Sequence, residues 1–285
     1  MSNNSFTVDF EDWYQGIELP YSNWHEYDRR IEKGFYRVLE LLGRCDSKAT
    51  FFTLGWVAEN YPQLVKETAA AGHELGSHGY SHEKVYNQTP EKFRHEIRQT
   101  KNIIEQLTGK EVTTHRSPFF SITSKSLWAL DILAEEGYKI DCSISPIKTW
   151  RYGISTCPDS IFRITENNLI EFPVSRFSFL RRNWAVGGAY FRIFPYFFTL
   201  NGMKQRLKNN LPNMFYIHPW EYDPGHPRVK FECKAMITHY ANLKKTYGNT
   251  QKLLTHLKFE TVTNLVTAYE QRGKIQNVSL QVLQD

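Results

Sequence analysis

No stretch of this sequence approaches the roughly 18 consecutive apolar residues that a membrane-spanning helix requires. Its start, MSNNSFTVDFEDW, offers neither the basic segment nor the apolar run that opens a secretory leader, so a cytoplasmic protein is expected. Cysteine is scarce: Cys45, Cys142, Cys157 and Cys233 are widely separated and form no C-x-x-C pair, which disfavours a thiolate zinc site or a disulfide framework. Internal repeats and low-complexity tracts are missing. Charge of one sign is not massed either. The formal net charge of +5 comes from interspersed Lys and Arg, densest at Arg181-Arg182 and Lys244-Lys245, so a nucleic-acid partner is not expected. What remains is 285 residues, 41% of them hydrophobic, enough for a single α/β barrel or one domain with appendages.

Strand-like and helix-like segments alternate through the first two-thirds of the chain, the pattern of a parallel sheet with crossover helices. Phe6–Phe10, Ala49–Thr53, His73–Gly76, Glu111–Arg116, Tyr138–Cys142, Leu169–Val174 and Met214–Ile217 read as strands. Between them, Ile31, Phe35, Val38, Leu39 and Leu42 fall at helical spacing, and a helix over Val57–Ala71 can stop at Gly72. Thr89-Pro90 supplies an N-cap with proline at the first helical position, starting a helix that ends near Gly109. About seven such units predict a distorted (β/α)7 TIM-like barrel, with functional groups at strand C-terminal ends. Beyond residue 220, helical stretches around Ala235–Tyr247, Gln251–Leu257 and Val262–Arg272 form a C-terminal extension expected to pack on the barrel.

Four groups of residues could do chemistry. Asp9-Phe10-Glu11-Asp12 crowds three acids at the end of an apolar strand, which is costly unless a cation or solvent compensates. His78 and His82 are four residues apart, a spacing that puts two imidazoles on one side of a helical turn; with a carboxylate they make a two-His, one-carboxylate metal set. Arg116-Ser117-Pro118-Phe119-Phe120 follows a strand, and its arginine can orient a catalytic carboxylate. Phe215 to Trp220 is a strand ending in His218, a side chain able to protonate a leaving amine. Each group alone has an ordinary structural reading as a cap, a packed histidine or a surface arginine.

In order and spacing the four groups resemble the polysaccharide deacetylases of the NodB-homology type, carbohydrate esterase family 4. The resemblance rests on Asp9 to Asp12, His78-Gly79-Tyr80-Ser81-His82, Arg116-Ser117-Pro118-Phe119 and Tyr216-Ile217-His218, and on the connecting segments Ala49–Phe52 and Ala71–His78. Val8–Trp13, Gly187–Arg192 and His218–Pro224 further resemble the subgroup associated with exopolysaccharide and exosortase clusters, which carries a C-terminal extension. A deacetylase domain over 1–220 and an extension over 221–285 follow from the likeness.

The resemblance implies a hydrolase that removes acetyl groups from N-acetylated sugars of a polysaccharide or its precursor, with a divalent cation, zinc foremost. Metal ligands would be Asp12, His78 and His82. The family's first motif is usually T-F-D-D, and here Asp9 precedes an adjacent Glu11-Asp12 pair. Either Glu11 is the base and Asp12 the ligand, or Asp9 is the base and Glu11 or Asp12 binds metal; Asp9 as base with Asp12 as ligand is preferred. His218 would be the acid, Arg116 would orient the base, and Asp141 would position His218 or Arg116. Phe119, Trp220 and Tyr80 would contact substrate. A hydrolase of small amides or cyclic ureides and a non-catalytic carbohydrate-binding protein are the alternatives.

Overall fold

In the computed structural model, which describes residues 2–149, 151–230 and 233–284, the first apolar run is strand β1 (Asn4–Phe10), buried along its whole length. Ten further strands follow: β2 (Thr50–Thr53), β3 (Glu74–Ser77), β4 (Thr114–His115), β5 (Ile140–Asp141), β6 (Phe162–Ile164), β7 (Ile170–Glu171), β8 (Arg176–Phe179), β9 (Arg182–Ala185), β10 (Asn213–Ile217) and β11 (Gln276–Val278). Nine of the eleven form one sheet in the order β10-β1-β2-β3-β4-β5-β7-β6-β11. Seven neighbours, β10 through β7, are mutually parallel, as crossover helices require. They curl into a half-barrel. Among the described residues β7 and β10 do not pair; their seam is bridged after β7 by Ser175, whose Oγ accepts the Met214 N–H at 2.8 Å.

The seven anticipated strands and the long helices are present, several with shorter bounds. Ile31–Arg44 buries Ile31, Phe35, Val38, Leu41 and Leu42 on one stripe. Pro90–Thr108 is capped by the Thr89 hydroxyl, which accepts the Lys92 N–H, and stops at Gly109 with φ 65°. The single helix expected over Val57–Ala71 is two, Gly55–Asn60 and Pro62–Ala70, because Pro62 lacks the N–H a continuous helix needs. After residue 220 the chain forms helices Cys233–Tyr240, Leu243–His256 and Val262–Gln271, then adds β11 to the edge of the sheet. This C-terminal segment is therefore not wholly helical. The β8–β9 hairpin has no precedent in the sequence reading.

Candidate active site

The first motif lies at the C-terminal end of β1, where strand alternation turns residues i and i+2 to the same side. Asp9 and Glu11 both line one cavity. Asp12 does not. Its carboxylate accepts the backbone N–H groups of Trp13 (2.8 Å), Arg30 (2.7 Å) and Ile31 (3.1 Å), so it anchors the start of helix Ile31–Arg44. Burial pushes its pKa up to about 6 despite these three donors. The expectation that Asp12 joins the histidines is thus corrected: the carboxylate beside His78 and His82 is Glu11.

The two histidines are not on a helical turn. Gly79 (φ 72°) and His82 (φ 56°) reverse the chain in an irregular loop, held by Glu96 of helix Pro90–Thr108. The Glu96 carboxylate accepts the N–H groups of Tyr80 and Ser81 at 3.3 Å and the Ser81 hydroxyl at 2.6 Å. One ligand atom each from Glu11, His78 and His82 lies within 4.8 Å of the others. His78 Nδ1 donates to the Arg116 carbonyl at 2.8 Å; a carbonyl only accepts, so this fixes the tautomer and leaves Nε2 with its lone pair. Burial lowers the His78 pKa to about 4, keeping it neutral. Burial raises Glu11, but the neighbouring His82, His218 and His78 outweigh it and bring that carboxyl down to about 2.

Arg116 is wholly buried. Its Nη1 donates to Asp9 Oδ1 at 2.5 Å and to Thr7 Oγ1 at 2.9 Å, and its guanidinium stacks 4.2 Å above the Phe52 ring. The following turn carries two successive left-handed residues, Phe119 (φ 55°) and Phe120 (φ 52°), a conformation bulky side chains adopt only under constraint. Phe119 reaches the cavity wall and meets the His82 ring edge-on at 4.6 Å. Asp141 touches neither His218 nor the Arg116 side chain. It accepts from His115 Nδ1 at 2.8 Å and from the Ser143 hydroxyl at 2.6 Å, and Ser143 Oγ in turn accepts the Ser117 N–H at 2.7 Å. Asp141 therefore supports the turn from beneath.

His218, at the end of β10, points Nε2 toward Asp9 Oδ2 (3.7 Å) and Glu11 Oε1 (3.8 Å). Its partner is Glu221, which the sequence reading did not single out: Glu221 Oε1 accepts from His218 Nδ1 at 2.6 Å. Burial opposes the charged imidazole, yet the Glu221 hydrogen bond and the nearby carboxylates leave its pKa raised. Arg192 Nε donates to Glu221 Oε2 at 2.6 Å, and its other nitrogens donate to the carbonyls of Thr238, His239 and Ala241. Trp220 is buried, with Nε1 donating to Glu11 Oε1 at 3.1 Å and its ring stacked on His239 (4.0 Å) and His218 (5.0 Å). It contributes an edge to the cavity rather than an open face. Tyr80 lies outside the cavity, bonded to Glu59, and lines the neighbouring groove with Tyr21.

The cavity measures about 360 Å³ and gathers Asp9, Glu11, His78, His82, Phe119, Tyr216, His218 and Trp220, with Arg192, Thr238 and His239 on its far wall. Residues 23–140 match the family model described as polysaccharide deacetylase, and residues 142–267 match a domain of unknown function, DUF3473. Over residues 23–140 the chain is similar to polysaccharide deacetylases. The two matched regions share the one sheet, and the second supplies His218 and Glu221 to the cavity of the first. A peptidoglycan-N-acetylglucosamine deacetylase of Bacillus cereus is 35% identical over 96 residues, 33% of this chain and 35% of that protein. The chain spans half or less of the length of the curated relatives it matches. Among solved structures, a Mycobacterium smegmatis protein assigned to the polysaccharide deacetylases shares the fold at TM-score 0.64 and 15% identity, covering 96% of this chain and 92% of its own. Puue allantoinase shares it at 0.60 and 14%, over 96% and 92%.

The donor set of this cavity fits a divalent cation. One carboxylate and two imidazoles converge, and the His78 tautomer presents a lone pair. Glu11 Oε2 is buried and makes no well-directed hydrogen bond, although His82 Nε2 is 2.6 Å away. A buried carboxylate oxygen and an imidazole nitrogen held this close are a donor pair that one cation can share.

Proposed function

We propose that the chain is a metal-dependent N-deacetylase acting on acetamido groups of an N-acetylated glycan, a bacterial exopolysaccharide or its precursor. The observation that carries this reading is the convergence, in one cavity, of the Glu11-His78-His82 set with the Asp9 carboxylate and His218 Nε2. A cation held by Glu11, His78 and His82, for which zinc suits the donors, would act as a Lewis acid toward a water and the acetamide carbonyl. Asp9, with Oδ1 fixed by Arg116, uses Oδ2 to take the proton of the attacking water. As the water oxygen adds to the acetyl carbon, the backbone N–H of Phe119, a residue lining the cavity, would serve as the oxyanion donor. His218, its Nδ1 tied to Glu221, delivers a proton from Nε2 to the departing amine as the C–N bond breaks. Acetate and a free amino sugar result.

The glycan part of the reading is supported by the deacetylase relatives and by the aromatic walls of Phe119, Tyr152 and Tyr216 around the cavity, which suit a sugar ring and an acetyl methyl. The test is acetate release by the metal-supplemented protein from N-acetylated oligosaccharides of increasing length, with free small amides and cyclic ureides alongside. Release from oligosaccharides supports the proposal. Hydrolysis of small amides or ureides alone would replace the substrate, and sugar binding without hydrolysis would remove the catalytic role.

A further inference from the structure

The β8–β9 hairpin ends in two residues that do not belong in such a turn. Arg176–Phe179 pairs with Arg182–Ala185, and the two-residue connection Leu180-Arg181 has φ 50° and 60°. This is the left-handed geometry usually filled by Asn-Gly, because those residues adopt positive φ at little cost. Leucine and arginine there are strained, and both project into solvent. Leu180 is 81% exposed, Phe179 49% and Phe197, on the helix Tyr196–Lys208 that the hairpin packs against, 61%. An apolar tip this open is uncommon on a surface that stays in water.

The charge along this stretch of chain has one sign, and the acid nearest the base of the hairpin, Asp159, is taken up by Arg176. From residue 172 to residue 220 the chain contains no Asp or Glu, while it contains Arg176, Arg181, Arg182, Arg192, Lys204, Arg206 and Lys208. Arg176 and Arg206 are bonded within the fold, and Arg192 is buried against Glu221. Arg181 and Arg182 are exposed and form no ion pair among the described residues. Behind the tip lie Trp184, Phe194 and Phe198 in mutual contact, and Tyr190 stacked on Phe194. Exposed apolar side chains flanked by unpaired arginines, with Trp and Tyr behind them, are the composition of a segment seated at the headgroup level of an anionic bilayer.

We infer that the β8–β9 hairpin docks this protein on an anionic membrane surface, inserting Leu180 and Phe179 among the lipids while Arg181 and Arg182 meet lipid phosphates. The hairpin runs directly into helix Gly188–Ile193, whose Ala189 and Arg192 line the catalytic cavity while Ile193 is exposed. The membrane anchor and the cavity wall are therefore one continuous piece of chain. A soluble anionic partner would explain the arginines but would leave Leu180 and Phe197 in water, which is why a bilayer is the assigned occupant.

The experiment is co-sedimentation of the full chain with vesicles of phosphatidylcholine alone and of phosphatidylcholine with phosphatidylglycerol. The variant is Leu180→Asn with Arg181→Gly, which installs the residues preferred at positive φ, so the hairpin is retained or stabilised while its apolar tip and one charge are removed. The wild type is expected to bind the anionic vesicles and the variant to bind them on the order of tenfold or more weakly, with its thermal unfolding temperature unchanged or raised. Arg182→Gln alone is expected to weaken binding about fivefold. Equal wild-type binding to neutral vesicles, no binding to anionic ones, or full binding by the double variant would each overturn the inference. None of these readouts depends on acetate release.

Discussion

His218 Nδ1 and Glu221 Oε1 are 2.6 Å apart, and the same Glu221 receives Arg192 on its other oxygen. The carboxylate fixes the imidazole so that Nε2, the atom facing Asp9 and Glu11, is the one left free to exchange a proton in the proposed reaction. Glu221→Gln keeps the shape but removes the charge that favours the protonated imidazole. It is expected to lower kcat on the order of 10- to 100-fold with little change in KM, by analogy with other groups that orient a functional histidine. His218→Ala is expected to cost more, about 100-fold or beyond. Steady-state kinetics on an N-acetylated oligosaccharide checks both, and an unchanged kcat in Glu221→Gln would remove Glu221 from the mechanism.

Asp12 and Glu11 are adjacent, yet they are expected to fail in different ways. Asp12→Ala strips the acceptor from three backbone N–H groups at a helix start and is expected to lower stability by about 2 kcal/mol while the chain still binds its metal. Glu11→Ala is expected to lose the metal and to keep most of its stability. Metal content by atomic absorption and denaturant unfolding of the two variants separate these outcomes.

The Glu11–Asp12 ambiguity shows where sequence stops being legible. All seven strands of the parallel run were readable, most plainly β1, β2 and β10, whose runs are buried whole, and alternation from Asp9 would have placed Glu11 on the same face, leaving Asp12 to turn away. His78 and His82 were found by spacing although the loop between them is not helical; the geometry depends on Gly79 and on Glu96 from a distant helix, a long-range contact with no local signature. Glu221 is three residues from His218 and was within reach of a local reading. Arg192 was not, since its side-chain partners lie in two distant segments, Glu221 and residues 238–241. Leu180-Arg181 carries no turn signal, so the hairpin was invisible.

Gly34 lies on the face of helix Ile31–Arg44 that meets the loop after His218. A Cβ there would stand 2.0 Å from the Pro219 carbonyl oxygen, a backbone atom that cannot swing aside. Gly34→Ala is expected to cost about 1–3 kcal/mol of stability and to reduce kcat by displacing the residue next to His218. Urea unfolding and kinetics on the variant check this, and wild-type values in both would show that the loop yields freely.

His73 is buried beneath the sheet, where Nδ1 accepts the Ala49 N–H at 3.3 Å, and burial lowers its pKa from 6.5 to about 4. The unfolded chain therefore takes up this proton first. Stability from His73 is full above pH 6.5 and is lost as pH falls toward 4, by on the order of 2 kcal/mol. His73→Asn keeps an acceptor without a titrating ring. Its unfolding free energy, compared with wild type at about pH 7 and about pH 4.5, is expected to fall less on acidification; parallel losses would exclude His73 as a source.

The central claim is that Glu11, His78 and His82 hold the cation that makes this cavity a deacetylase. The most direct measurement strips the protein with a chelator, titrates zinc back, and follows bound metal and acetate release from an N-acetylated oligosaccharide in the same samples. The account predicts that release returns in proportion to one bound ion per chain in the wild type, and that His78→Ala and His82→Ala, folded but unable to retain the ion, recover almost none. Full acetate release from the stripped protein, or from either histidine variant, would contradict it.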